Sequence, residues 1–400
     1  MATLGNRLHQ LTPSATMHMT ALAERMRADG HDVIGLAGGE SDFDTADNVK
    51  EAGIAAIRAN ITRYPPGNGR EDLRRALSLK LRQDNNLDYP PDQILVSSGT
   101  KPLINAALMA LADPGDEVIV PAPYWVSYPE IVRLAGQNPV FVPCPASSGF
   151  RLQAKDLASA ITPRTRALLL NSPNNPSGAV YREADLRELL EVLLLHPEVW
   201  ILTDEIYEDI CYLDKRPVSF ATLDPRIVPR VITINGFSKG YAMAGWRLGF
   251  AAGPKPAINA MQTVVWHING GCTSISQVAG AEAVSGDRSY LERNAKSYRA
   301  RRDLAVAAIN KMPRLSCEVP DGAFFLWVNC AGTIGRRTPG GKIIQSDSDF
   351  VAGAIEHAGI VMLPGSPFGM SPYFRMSYSI DPTILRKALE RLHAYCDALA

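Results

Sequence analysis

The sequence predicts an α/β protein: a large central unit built on a mostly parallel sheet, with a smaller α+β unit drawn from both chain ends. Three observations lead there. Short apolar runs of strand length alternate with helix-length segments from about residue 48 to residue 287. Those runs, such as Ile94-Leu95-Val96, Ala167–Leu170 and Val231–Ile234, are apolar at successive positions, as strands covered on both faces are. Beyond about residue 288 a long charged helix is followed by strands and helices in no regular alternation. The expected division is 48–287 for the large unit, with 1–47 joining 288–400 in the small one.

Taken in order, Ser14 caps an amphipathic helix that runs to about Asp29, where Gly30 stops it. Val33-Ile34-Gly35-Leu36 reads as a short strand leading into Gly38-Gly39-Glu40. The strand Ile94-Leu95-Val96 precedes a helix near Lys101–Leu111, and Asp113-Pro114-Gly115-Asp116 turns the chain into Glu117–Val120. A helix at Leu186–Leu195 lies between the strands Ala167–Leu170 and Val199–Thr203. Val231–Ile234 and Leu248–Ala252 are further strand-like runs. In the last third, helices are expected near Leu291–Lys311, Asp347–His357 and Asp381–Leu399, with strands at Ala323–Val328, Ile360–Leu363 and Tyr373–Ser379.

Composition narrows the function classes. Of the 400 residues 46% are apolar and 20% charged, which suits a globular core and excludes disorder. The 41 basic and 41 acidic residues cancel, so no nucleic-acid footprint is signalled. The longest apolar runs are strand-sized, short of the roughly 18 residues a membrane span needs. Arg7, His9 and the polar stretch Thr12–Thr16 lack the apolar core of a secretory signal, so a soluble cytoplasmic protein is expected. The six cysteines contain no CxxC, no HExxH accompanies them, and buried reduced thiols without a metal are the expectation.

Chemistry-bearing residues cluster after strands, where open α/β sheets place ligands. Five such ends stand out: Ser98-Gly99-Thr100-Lys101, Pro123-Tyr124-Trp125, the NSPNNPSG turn Asn171–Gly178, Asp204–Tyr207, and Gly236-Phe237-Ser238-Lys239. Neither GxGxxG after the first strand nor GxxxxGK[ST] occurs. Lys239 is either a solvated loop residue or a desolvated amine whose neutral form attacks a carbonyl. Arg247, eight residues on, adds a phosphate-binding guanidinium to the same lip. Singly, Asp204 reads as a cap, Asn175 as a turn residue, Trp125 as packing, and Gly99-Thr100 as a close helix–strand contact. Together they make a carboxylate for a ring nitrogen, an amide for a phenolate oxygen, an aromatic platform, a phosphate cradle and a lysine. That is the set pyridoxal phosphate needs.

The segment Gly236–Gly249, GFSKGYAMAGWRLG, resembles the lysine signature of class I pyridoxal-phosphate aminotransferases of fold type I. DPGDEVIVPAPYWVSY, ITPRTRALLLNSPNNPSGAVY, TDEIYE and FRMSYS resemble the bacterial aspartate aminotransferase branch in the same order, and GTIGRRTPGGK is shared with its rhizobial type. The resemblance runs from about Thr12 to the C-terminus. It implies that Lys239 holds the cofactor covalently and moves the substrate proton, with Asp204 on the pyridinium nitrogen. Asn175 and Tyr207 would bond the ring oxygen and Trp125 would stack on the ring. Gly99, Thr100, Lys101, Ser238 and Arg247 would surround the phosphate, with Tyr64 reaching it from a partner subunit. Arg375 would grip the substrate carboxylate, assisted by the Gly39 backbone, with Trp125 and Asn175 alongside; Thr16 and Lys101 match positions near a distal carboxylate.

The chain departs from the family pattern at Gly39-Glu40-Ser41, where the family has Gly-Glu-Pro, and at Ala242-Met243-Ala244-Gly245, where it has Ala-Met-Thr-Gly. Val264–Gly271 (VVWHINGG) replaces a Ser/Gln/Thr-rich run near the neighbouring subunit's side-chain pocket. His267 within it reads as a core histidine or a pocket residue. The function expected is an aminotransferase that moves an amino group from an L-amino acid to a 2-oxo acid through pyridoxamine phosphate. Aspartate and 2-oxoglutarate-type substrates are expected alongside aromatic or aliphatic donors, in a homodimer with shared sites. A fold-type-I lyase acting on a β-substituted amino acid, or a non-catalytic cofactor-binding paralogue, are the competing readings.

Overall fold

The computed structural model describes residue 9 and residues 11–400; Arg7 of the polar N-terminus lies outside them. The first helix, Ala15–Ala28, begins where Ser14 accepts the Met17 amide, and Gly30 follows it at φ +87°. Strand β1 (Ile34–Gly35) comes next. The large sheet is built from β2 (Ile94–Ser97), β3 (Glu117–Ala122), β4 (Asn138–Pro143), β5 (Thr165–Asn171), β6 (Trp200–Asp204), β7 (Val231–Gly236) and β8 (Gly249–Ala252). Their spatial order is β2-β8-β7-β6-β5-β3-β4. All run parallel except β8, which is antiparallel to both neighbours.

Alternate residues of each strand feed two cores. Ile94, Val96, Leu168, Leu170 and Ile201 pack beneath the helices Glu71–Asn85, Glu183–Leu194 and Ser274–Ser285. Leu95, Ala167, Leu169, Leu202 and Ile232 pack beneath Thr100–Leu111, Tyr128–Ala135 and Lys255–Asn269. With both faces covered, the period-2 polar signal of a strand disappears, which is why the sequence shows these strands as apolar runs.

A four-stranded sheet follows, made of β9 (Ser316–Cys317), β10 (Phe325–Asn329), β12 (Leu363–Pro364) and β13 (Tyr373–Ser377), while the short β11 (Ile360–Val361) leaves it to pair with β1 in parallel. The single expected strand Ile360–Leu363 is thus two strands in two sheets. The β1–β11 pair joins the two chain ends, and the Asp32 carboxylate strengthens the join by accepting from Lys387 at 3.1 Å and from Arg391. A third core, including Leu36, Tyr298, Phe324, Phe325, Phe350 and Leu392, fills the space between this sheet and the helices Ser289–Ile309 and Pro382–Asp397.

Two strands fall outside those expected from the sequence: β4, an edge strand whose residues are mostly exposed or half-buried, and the two-residue β9. Nor does the sequence hint that β8 is reversed. All six cysteines are free.

Candidate active site

The C-terminal ends of five of the six parallel strands, β2, β3, β5, β6 and β7, open on one cavity of about 390 Å³. Side chains aligned at strand ends are held by the sheet's own register, so the site inherits the rigidity of the core. Asn171, last residue of β5, shows how. Its side-chain amide donates to the Asp204 carbonyl at 2.9 Å and its oxygen accepts the Asn175 amide at 2.8 Å, fixing two neighbouring strand ends to each other.

Asp204 ends β6 and is buried. Loss of water pushes its carboxyl up to about 6, and a hydroxyl donated by Tyr128 at 2.8 Å and the Ile206 amide at 3.3 Å hold it back. Lys239, part-buried just beyond β7, donates its amine to the Gly39 carbonyl at 2.5 Å. Desolvation, and then the positive charges of Arg375 and Arg247, bring that amine down to about 8. Tyr207 lies with its ring centroid 6.0 Å from the Lys239 Nζ, and burial pushes its hydroxyl up.

Arg375 comes from β13 and is 1% exposed. It donates to Asn175 Oδ1 at 2.8 Å and to the Ala37 carbonyl at 2.6 Å, and its Nε has no partner. The Phe325 ring lies 4.2 Å beneath it, and burial lowers its proton affinity to about 10. Among the described residues no carboxylate is paired with it, so a buried guanidinium lines the cavity without a neutralising partner.

The opposite end is a cradle. Gly99, at φ +98°, opens the helix Thr100–Leu111, whose first turn has no side-chain cap. A Cβ on Gly249 would meet the Gly99 carbonyl carbon at 2.6 Å and the Thr100 amide at 2.9 Å, so only glycine lets β8 pass under this turn. Arg247, itself at φ +53°, and Ser238 line the same end. Trp125 lines the wall, edge-on to Tyr128 at 5.3 Å, with the Lys101 amine 4.9 Å from its ring centroid. Thr16, Met17 and Thr20 of the first helix form the rim, and the Thr16 hydroxyl is buried without a partner among the described residues.

The cavity therefore brings together Gly39, Thr100, Lys101, Trp125, Asn175, Asp204, Tyr207, Ser238, Lys239, Arg247 and Arg375, with Gly99 behind. Tyr64 is not among them. It is 89% exposed and lines a separate groove with Pro65 and Gly271; Trp266 and His267 are exposed and also lie outside the cavity. The Gly39 carbonyl serves Lys239 here, a role the sequence reading did not give it. That reading also missed Tyr128 and Asn171. Tyr128 is the first residue of a helix that starts three residues after Trp125, and its hydroxyl reaches Asp204. Asn171 is a polar residue closing the apolar run Ala167–Leu170.

The family model for aminotransferase class I and II matches residues 31–392. An aspartate aminotransferase of Rhizobium meliloti (strain 1021) is 46% identical over 395 residues, covering 99% of this chain and 96% of its own. An aspartate/prephenate aminotransferase of Cereibacter sphaeroides is 43% identical over 400 residues, with both chains covered fully. The crystal structure of the aspartate aminotransferase from Rhizobium meliloti superposes with a TM-score of 0.97 at 46% identity over the whole of both chains.

Proposed function

The chain belongs to the class I and II aminotransferase family and is an amino-acid transaminase, and from that premise we propose that it binds pyridoxal 5′-phosphate in this cavity and acts on dicarboxylic amino acids with room for other donors. The observation that carries the reading is that the Lys239 amine and the Arg375 guanidinium face one cavity, neither paired with a carboxylate among the described residues. A lowered amine suits carbonyl attack, and a buried, unneutralised guanidinium suits a carboxylate ligand.

The residues present fit the cofactor. The Gly99–Gly249 approach leaves backbone amides at an uncapped helix start beside Arg247, Thr100 and Ser238, which suits a phosphate. Asp204 suits a protonated ring nitrogen, Asn175 and Tyr207 a ring oxygen, and Trp125 a ring face. When bound, the cofactor supplies an electron sink for the substrate Cα and carries the amino group between donor and acceptor. Lys239, once free, would take the proton from the substrate Cα and deliver it to C4′ of the cofactor. Arg375 holds the α-carboxylate, leaving the side chain directed toward Thr16 and Lys101. Asp204 keeps its proton partner charged.

The names of the relatives, aspartate and aspartate/prephenate aminotransferase, support a second carboxylate on the substrate. The proposal extends to the division into 48–287 and a small unit of 1–47 with 288–400, and to a cytoplasmic homodimer in which Tyr64 serves the neighbouring site. Borohydride reduction of the holoenzyme followed by peptide mapping tests the reading. Label on Lys239 alone is expected, with one 2-oxo acid released per site from aspartate when no acceptor is present. Label elsewhere, or continued formation of pyruvate and ammonia from a β-substituted donor, would overturn it.

A further inference from the structure

The segment from Ala37 to Asp42 crosses the cavity as a strap. At one end its Ala37 carbonyl accepts from Arg375, and in the middle its Gly39 carbonyl accepts from Lys239. These are the two groups that the proposed reaction draws away toward cofactor and substrate. What then holds the strap is a set of contacts on its far side, from the small unit.

Tyr298, in the helix Ser289–Ile309, lies 2.8 Å from the Ser41 hydroxyl and 3.2 Å from the Ser379 hydroxyl. Ser379, four residues beyond Arg375, donates to the Glu40 carbonyl at 2.8 Å and accepts the Asp42 amide at 3.1 Å. The Ser41 hydroxyl accepts the Phe43 amide at 3.2 Å. Each hydroxyl has one proton, and Ser379 must direct its own at two groups that only accept, the Glu40 carbonyl at 2.8 Å and Asp42 Oδ1 at 3.2 Å, so Tyr298 donates to Ser379 and Ser41 to Tyr298. Three hydroxyls donating in one direction polarise one another and behave as a unit. The Asp42 carboxylate adds a two-oxygen contact with Arg301 at 2.7 Å each, and the Arg301 guanidinium lies against the rings of Phe43 and Tyr298 at 5.0 and 5.4 Å. A proline at position 41 would supply no hydroxyl to begin this relay.

We infer that Ser41, Tyr298 and Ser379 are positioning residues for the carboxylate end of the substrate site: the relay fixes the Gly39–Glu40 peptides in place when Lys239 and Arg375 are engaged elsewhere. The inference rests on the proposed roles of Lys239 and Arg375. Because the strap borders the α-carboxylate end and not the side-chain end, the relay acts on ligands of different side chain alike.

The test uses the cofactor-loaded protein and two non-reacting acids, succinate and 3-phenylpropionate, with Kd read from the bound cofactor's absorbance. For Ser41→Ala and for Tyr298→Phe, Kd of both acids is expected to rise three- to tenfold, by the same factor for each. KM for aspartate should rise equally with kcat within twofold of the parent. Ser41→Thr, which keeps the hydroxyl, should restore the parental values. Unchanged Kd in both variants, with only the melting temperature lowered, would overturn the inference and leave the roles of Lys239 and Arg375 standing. Failure of either acid to perturb the parental protein would overturn those roles and the inference with them.

Discussion

Lys239 sits where its proton affinity is set by what surrounds it. Desolvation and the charges of Arg375 and Arg247 place the amine near 8 rather than 10.5. The neutral form is the nucleophile, and below its pKa the neutral fraction grows tenfold per pH unit. The rate at which apoprotein takes up pyridoxal phosphate should therefore climb with pH and level off above about 8. Arg375→Met removes a positive neighbour, so the plateau should move to higher pH; stopped-flow absorbance would read it, and an unmoved profile would show that Arg375 does not act on the amine. Lys239 itself was legible in the sequence because it interrupts a small-residue loop after an apolar strand. Its carbonyl partner at Gly39 was not, since 200 residues separate the two and only the folded chain sets them 2.5 Å apart.

The helix Glu71–Asn85 carries a less visible feature. Leu73, Leu77 and Leu81 form its buried stripe, and Lys80, seven residues after Leu73 and three after Leu77, falls on the same side. Its amine, 2% exposed, pairs with the Glu208 carboxylate and donates to Asn85 Oδ1 at 2.7 Å. Glu208 closes the turn that carries Asp204 and Tyr207, so this ion pair ties the helix to the back of the site. Breaking a buried pair by removing one partner costs about 3–5 kcal/mol, because the other charge is stranded. Lys80→Met should lower stability by that order in urea unfolding, and Lys80→Met with Glu208→Leu should recover most of it. A double variant no more stable than the single would show that the pair does more than neutralise itself. A lysine at an apolar-stripe position was the available sequence signal. The sequence reading did reach the helices and the parallel strands, which periodicity and turn residues declare locally; the reversed β8 was hidden because strand direction depends on pairing, not on composition.

At the scale of the molecule, Tyr64, Trp266 and Ile268 are large and exposed on one protomer, at 89%, 43% and 56%. Tyr64 and Gly271 line one groove, and the Trp266 ring lies against Gly67 and Gly271 at its edge. In the proposed homodimer this face meets the neighbouring site. Mixing Tyr64→Phe with Lys239→Ala protein under subunit exchange should then give activity above the weighted mean of the two parents, since one site of each hybrid is whole. Activity at or below that mean would count against shared sites. Exposure is a property of the folded surface, so only the likeness of the motifs, and not the residues themselves, pointed to this role.

The clasp between β1 and β11 has a consequence for biosynthesis. The large sheet is complete once residue 252 has emerged from the ribosome, and its cores draw on helices that end by residue 285 plus Tyr290 and Leu291 at the start of the next helix. The partner strand of β1, Ile360–Val361, and Arg375 arrive more than a hundred residues after the last strand of that sheet. Until then the strap at Ala37–Asp42 has neither Arg375 nor Ser379 to hold it, and the core around Ala23 of the first helix lacks Trp327, Val361, Leu363 and Phe368. On the roles proposed above, a nascent chain that has completed the large sheet would carry the phosphate cradle before it carries the carboxylate grip, so holding a phosphate would precede selecting a substrate during synthesis.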